Sequence, residues 1–336
     1  MLKAAVITSG GDASGVNAAI RMMISVDVDY IGYHGGFEGI VNETPFSFTK
    51  EDLISWYNSG DLFLRSGRTD LMKTETGPLQ VKQALMEQQV DVLIVFGGDG
   101  SAKGALKLKE SGVNVIHVPM TIDNDIEGTD YTIGHKTAVE YIQQQIIRLR
   151  QTGRNLGGRV FIMETFGGMS GQLTLASGIA GNADILLLPE YDFSISDIAA
   201  RITQEKQAGR DSVIILCTES AFQPDEYKNG DQGVISKISE QLEPLLGERI
   251  RQSIPGYTQR CGDPNMEDQL CAARLGDFVR KKLEEETYSF MAGWKDGSPC
   301  AVPLEHVRKK EGLDEELAQA AKYQHLIPGE RRDSDE

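Results

Sequence analysis

The sequence predicts an α/β protein built on largely parallel sheet, and three observations predict it. Short apolar runs recur along the chain at residues 4–8, 91–96, 113–118, 160–164, 185–188 and 213–218. Amphipathic stretches separate them, the alternation that sets helices between parallel strands. Glycine-rich turns follow the first two runs directly, at the strand ends where ligands gather in open α/β sheets.

The elements follow in order. Residues 4–8 form a strand, a glycine turn follows, and a helix starts near residue 16. Residues 91–96 repeat the pattern with a helix from about residue 101, and 113–118 form a third strand. Val139, Ile142, Ile146 and Leu149 recur at i, i+3, i+7 and i+10, one face of a helix that runs to about residue 150. The stretch 152–158 (TGRNLGG) is expected to break it. Strands at 160–164, 185–188 and 213–218 repeat the theme in the second half. No long linker or low-complexity tract intervenes, so two halves in close succession are expected.

Composition narrows the function. A chain of 336 residues with 40% hydrophobic and 25% charged content fits about two globular domains. The apolar runs fall far short of the ~20 residues that span a bilayer. The N-terminus enters an apolar strand without a basic stretch or cleavable segment, so a cytoplasmic location is expected. Cys217, Cys261, Cys271 and Cys300 form no CxxC pair and have no histidine at ligand spacing, which disfavours zinc and thiol chemistry. A net charge of −16 disfavours nucleic acid and anionic membranes as partners. A phosphate site in such a chain must be a local cluster of arginines and backbone N–H groups. The charged tail at 331–336 reads as a frayed end.

Three segments carry the chemistry. Thr8-Ser9-Gly10-Gly11-Asp12-Ala13-Ser14-Gly15-Val16-Asn17 joins a strand to a helix, where glycines and free N–H groups can cradle an anion. Alone it reads equally well as a tight turn, since it lacks the Gly-Lys-Ser/Thr ending of a Walker A loop and is not GxGxxG. Phe96-Gly97-Gly98-Asp99-Gly100-Ser101 repeats the Gly-Gly-Asp core at a second such junction. An aspartate among phosphate-binding glycines repels its ligand unless a cation intervenes, so Asp99 reads as a Mg²⁺ ligand, compatible with a helix-capping role. Pro119-Met120-Thr121-Ile122-Asp123-Asn124-Asp125 follows the third strand. Alternation predicts Thr121, Asp123 and Asp125 on one side of an extended segment. Phosphoryl transfer uses such a carboxylate pair, one near the metal and one taking the acceptor proton. Alone, the Asp-Asn-Asp run is ordinary turn chemistry.

Together TSGGDASGVNAAIR, FGGDGS, TIDNDIEGTDYTIG and a later Arg-Gln-Arg-like run resemble the 6-phosphofructokinases over nearly the whole chain. The resemblance implies two Rossmann-like three-layer α/β/α domains with mostly parallel sheets and an active site in the cleft between them. It assigns 1–136 plus about 259–302 to an ATP/Mg domain, and 137–258 plus the C-terminal tail to a sugar-phosphate domain. Asp123 is then the base for the 1-hydroxyl of fructose 6-phosphate, with Thr121, Asp125 and Arg68 in support. Asp99 serves Mg²⁺, and Gly11, Arg68, Thr69, Gly98, Asp99, Gly100 and Ser101 bind ATP. Thr121, Ile122, Asp123, Arg159, Phe166, Gly167, Gly168, Glu219, Arg251, Tyr257, Thr258, Gln259 and Arg260 bind the sugar phosphate. In such enzymes arginines matching Arg159 and Arg251 come from a neighbouring subunit, which implies a homo-oligomer, usually a tetramer.

Gly100 leaves room for an α-phosphate, and Met120 replaces the lysine common in pyrophosphate-using members; both imply ATP as donor. Several positions depart from the pattern. His135-Lys136 replaces Phe-Asp or Phe-Asn, Gly168 an arginine, Phe166 a methionine and Tyr257 a histidine. Arg21, Arg150, Arg210 and Glu190 match effector-site positions, whereas Ser25 and Ala208 replace basic residues there, so weakened allosteric control is expected. The same chemistry on another ketose phosphate, or with pyrophosphate, is one alternative. A catalytically weak nucleotide- or sugar-phosphate-sensing paralogue is the other.

Overall fold

A computed structural model describes residues 1–221 and 233–332 of the chain. In order, the elements are β1 (Leu2–Ser9), α1 (Val16–Met23), β2 (Val28–Gly32), α2 (Gly36–Asn42), β3 (Phe46–Ser47), α3 (Gly77–Glu87), β4 (Val92–Gly97), α4 (Asp99–Glu110), β5 (Val115–Pro119) and α5 (His135–Asn155). They continue with β6 (Arg159–Thr165), α6 (Gln172–Gly181), β7 (Ile185–Leu187), β8 (Tyr191–Asp192), α7 (Ile195–Gln207), β9 (Ser212–Thr218) and α8 (Val234–Leu246). The last are β10 (Ile250–Ser253), α9 (Met266–Glu284), β11 (Phe290–Lys295), β12 (Ser298–Pro303), α10 (Glu315–Tyr323) and β13 (Glu330–Arg331). None of the described helices is long and apolar enough to cross a membrane.

The chain divides into two compact units, Met1–Thr137 with Arg260–Lys310, and Ala138–Gln259 with Glu311–Glu336. The first holds a seven-stranded sheet in the order β12-β11-β5-β4-β1-β2-β3. Its inner pairs β1–β2, β1–β4, β4–β5 and β5–β11 are parallel, and both edges, β2–β3 and β11–β12, are antiparallel. The central strands are buried on both faces. Ala5, Ile7, Leu93 and Val95 pack with Phe37, Val81, Leu85, Ala105 and Leu108 of α2, α3 and α4. Their alternates Ala4, Val6, Ile94 and Phe96 are equally inaccessible. Strands covered on both sides read as continuous apolar runs, which is why their positions are visible in sequence.

The second unit holds a four-stranded parallel sheet, β10-β6-β9-β7, and the two-stranded β13-β8. Its core joins Val160, Ile162, Ile185, Val213 and Ile215 to Ile198 and Ile202 of α7 and Ile235, Ile238 and Leu242 of α8. Each unit is thus a Rossmann-like α/β domain with mostly parallel sheet.

Three local expectations need correction. Helix α4 starts at Asp99 rather than near 101, because Gly98 ends the strand in extended geometry and serves as N-cap. Helix α5 runs past residue 150, through Gly153 to Asn155, and breaks only in the second half of the 152–158 stretch. A Cβ on Gly153 would stand 2.8 Å from Ser212 Cβ, so the glycine there permits close packing, and the chain turns only at Gly157 and Gly158 with φ of 72° and 96°. The tail is not frayed at its start. Glu330–Arg331 pairs with β8, and Arg332 donates its backbone N–H to Glu190 O and its guanidinium to Asp192. Residues 333–336 of that tail lie outside the described residues.

Candidate active site

The first unit carries a cavity of about 970 Å³ built from the three segments singled out in sequence. Its wall includes Ser9 to Asp12 after β1, Gly98 to Ser101 after β4 and Met120 to Asp123 after β5. Because β1, β4 and β5 are adjacent and parallel, their C-terminal ends open on the same edge of the sheet.

Backbone contacts lock these turns together. Ser101 Oγ donates to Ser9 O at 3.1 Å, and Met120 N donates to Gly97 O at 2.9 Å. Gly10, at φ 97°, donates its N–H to Gly67 O at 3.0 Å, and Ser66 Oγ returns a bond to Gly10 O. Those bonds bring Arg68 and Thr69 into the wall. Gly11 lies beside two arginines: a Cβ there would crowd Arg260 Nη1 at 2.7 Å and only touch Arg68 Nη2 at 3.7 Å. Helix α4 begins inside the cavity with no side-chain cap from Gly98, so its first N–H groups and positive dipole end are open to an anion. Asp99 is the first residue of that helix, and its carboxylate accepts from Lys103 Nζ at 3.0 Å.

The segment after β5 turns instead of running extended. Asp123 N donates to Thr121 Oγ1 at 3.2 Å, closing a short turn, and Asn124 has φ 51°. Alternation of faces therefore fails here. Thr121, Ile122 and Asp123 reach the cavity wall, whereas Asp125 is buried outside it and faces Lys309 Nζ at 3.3 Å. Burial pushes the Asp125 carboxyl above its ordinary range, with the charge of Lys309 acting in the opposite sense. The carboxylates that share the cavity with the α4 N-terminus are Asp12, Glu38, Asp70, Asp99 and Asp123.

Several lining residues belong to none of the three motifs. Phe37, Glu38, Met72, Lys73, Lys103, Gly104 and Lys107 complete the wall. Lys107 Nζ donates to Met72 O at 2.7 Å, tying α4 to the segment after Thr69. Lys103 and Lys107 stand four and eight residues after Asp99, on one face of a helix that starts in the cavity. That spacing is a signal a sequence reading could have used.

The remaining predicted residues belong to the second unit. Gly168 N donates to Glu219 Oε1 at 3.0 Å, Glu219 N to Thr165 O, and Ser220 Oγ bonds Gly168 O. Gly167 and Gly168 adopt φ of 149° and 57°, the conformations that let this loop fold over Glu219. Phe166 N donates to Gln259 Oε1 at 3.1 Å, and the Phe166 and Tyr257 rings meet edge to face at 5.7 Å. Thr258 Oγ1 lies 2.7 Å from Tyr141 Oη. Phe166, Gly167, Gly168, Glu219, Tyr257, Thr258 and Gln259 thus form one neighbourhood. Half-buried Glu164 lies beside it, its carboxyl raised by burial and then by the charge of Glu219. Arg159 and Arg251 sit apart, at the start of β6 and on β10. Arg159 bonds Gly158 O at 2.6 Å, and Arg251 lines a separate cavity of about 460 Å³. Of the effector-position residues, Arg150 and Arg210 both pair with buried Asp184, and Glu190 accepts from Gly171 N.

Two parallel-sheet α/β units and a cavity of glycine turns, helix N-terminus and carboxylates define a phosphate-binding enzyme class. The chain belongs to the phosphofructokinase family, whose profile matches residues 3–282. It is 35% identical over 327 residues to the ATP-dependent 6-phosphofructokinase of Clostridium tetani, covering 96% of this chain and 99% of that protein. Identity to the enzyme of the same description from Persephonella marina is 35% over 326 residues, covering 94% and 98%. Among solved structures it is similar to phosphofructokinase from Saccharomyces cerevisiae, with a TM-score of 0.79 and 25% identity over 97% of this chain and 47% of that one.

Proposed function

We propose that this chain transfers the γ-phosphoryl group of ATP to the 1-hydroxyl of fructose 6-phosphate, giving fructose 1,6-bisphosphate. The observation that carries the reading is the cavity in which Asp123 shares a wall with the N-terminus of α4. The ATP-dependent description of relatives matched over nearly their full length supports the donor. So does Gly100, where an added Cβ would have no neighbouring atom within 4 Å.

The residues divide the work. Backbone N–H groups of Gly98 to Ser101, with Gly11 and Thr69, hold the nucleotide phosphates. Asp123 takes the proton of the 1-hydroxyl as its oxygen bonds to the γ-phosphorus and the bond to the β,γ-bridging oxygen breaks. Arg68 and Arg260, close to Gly11, offset the charge that develops on the transferring group. Among the described residues no three His, Cys, Asp or Glu side chains gather as a metal cage. Mg²⁺ prefers one or two carboxylates plus phosphate oxygens, so Asp99 fits a metal that arrives with the nucleotide. Bound there, Mg²⁺ would neutralise phosphate charge. Asp125 is buried against Lys309, outside the cavity wall. On this reading the sugar phosphate contacts the Glu219 and Phe166–Tyr257 neighbourhood, and Arg159 and Arg251 serve a neighbouring subunit of a cytoplasmic homotetramer.

The Phe166–Tyr257 edge pair and the missing side chain at Gly168 favour one second reading, the same transfer to another ketose phosphate. One assay tests both: turnover with Mg²⁺ and ATP on fructose 6-phosphate, tagatose 6-phosphate and sedoheptulose 7-phosphate, with pyrophosphate replacing ATP in parallel. Asp123→Ser should lower kcat by about 10²-fold or more and leave sugar-phosphate binding intact. Retained kcat with only a changed KM would rule out Asp123 as the base.

A further inference from the structure

We propose that His135 is a positioning residue for Asp123, acting through the carbonyl of Ile122. The inference rests on the reading of Asp123 as the base. His135 opens α5, is 6% exposed, and places Nδ1 2.7 Å from Ile122 O. A carbonyl only accepts, so Nδ1 carries the proton and the tautomer is fixed by this contact. Ile122 O belongs to the peptide unit that leads into Asp123. A planar peptide transmits its orientation to the next Cα, so the bond from His135 sets the direction in which Asp123 leaves the turn.

The anchor is itself held. Fully buried Asp268 accepts from Gly134 N at 2.9 Å, from Thr137 N and Oγ1, and from Tyr131 Oη. The strand-like contacts Thr121 N→Ile133 O and Ile133 N→Pro119 O fix the other side of the turn. Thr132 Oγ1 donates to Thr121 O at 2.7 Å. Bonds from 132–135 therefore grip both carbonyls that flank the Ile122 backbone position, Thr121 O and Ile122 O. Burial keeps the His135 imidazole neutral, which suits a donor facing a carbonyl. The histidine is visible in sequence only as a replacement in the Thr132-Ile133-Gly134 motif, with no role attached.

The test is a set of variants of the full chain. His135→Phe restores the ring usual at this position in the family but removes the donor; because this chain holds Ile122 O through Nδ1, the change should lower kcat by about 10-fold or more while fructose 6-phosphate KM and nucleotide Kd stay within about 3-fold. His135→Asn, whose amide N–H can take the place of Nδ1, should keep kcat within about 3-fold of the parent. His135→Gln, with that amide one methylene farther out, should fall several-fold, and this Asn–Gln contrast decides the matter if the phenylalanine variant does not fold. In an Asp123→Ser background, replacing His135 should lower kcat no further, since it acts through the side chain already lost. Parent-like kcat in His135→Phe, equal losses in the Asn and Gln variants, or full additivity with Asp123→Ser would each overturn the assignment alone. Absence of sugar-phosphate turnover by the parent chain would overturn the functional reading and this assignment together.

Discussion

The two Gly-Gly-Asp turns of the first unit share a sequence core and differ in what they present. After β1, the chain spends Gly10 to Gly15 in a broad loop before α1 begins at Val16. That helix start is walled in: a Cβ on its cap Gly15 would stand 3.6 Å from Asp268, Ile133 and Pro264. After β4, helix α4 begins at once, and a Cβ on Gly100 would meet nothing within 4 Å. The first turn therefore offers loop backbone beside two arginines, while the second offers an open helix N-terminus. Identical residues do not imply identical binding geometry; the distance from strand end to helix start decides.

The largest test of this contrast compares the two aspartates. Asp99→Asn should lower kcat/KM for ATP by about 10²-fold, whereas Asp12→Asn should cost less than about 5-fold. Equal losses, measured by initial rates at saturating sugar phosphate, would erase the distinction between the turns. Next in size is a glycine pair within the second turn. Gly97→Ala should destabilise by about 1–3 kcal/mol, because the new methyl would stand 2.5 Å from Ser101 Cβ and Ser9 O. Gly100→Ala, in a helix and in open space, should be neutral or stabilising by up to about 1 kcal/mol, yet weaken ATP binding if phosphates occupy that space. Urea midpoints alongside nucleotide titrations separate the two effects.

The smallest effect concerns pH. Below the second turn lies His117, fully buried, with Nε2 3.0 Å from Gly97 O. Burial pushes its imidazole down to about 4, as it does for His135, from an ordinary value of 6.5. The unfolded chain then binds more protons than the native one in that interval, so stability falls as pH drops from about 6.5 toward 4. Each histidine should contribute about 1 kcal/mol of loss between about pH 7 and 5.5. Buried Asp125 and Asp268, whose carboxyls are raised, act in the opposite sense on acidification. The informative quantity is therefore the difference between the parent chain and His117→Gln across that range; parallel melting curves would refute the assignment to His117.

Legibility in the sequence followed burial. Strands covered on both faces, such as β1, β4, β6 and β9, announce themselves as apolar runs. Short edge strands do not: β3, β10 and β12 carry mixed residues, because an edge or half-solvated strand has little composition to declare. The three cavity segments are legible because glycine, aspartate and strand ends are local signals. Their conformation is less so. Asn124 at φ 51° and the Thr121 side-chain bond to Asp123 N turn a segment that alternation reads as extended, which removes Asp125 from the cavity. Asp268 and Lys309 act on residues more than a hundred positions away, beyond the reach of any local pattern.

Asp268 also bears on how the molecule is made. The residues that finish the first unit arrive late: Arg260, Asp268, strands β11 and β12, and Lys309 all follow the four-stranded sheet of the second unit in the chain. A nascent polypeptide of 259 residues already carries both glycine turns and Asp123, but its α5 start has no carboxylate to hold it and β5 has no β11 beside it. An unpaired strand edge is a template for other chains. Synthesis of this protein thus includes an interval in which β5 lies open, closed only when the final quarter leaves the ribosome.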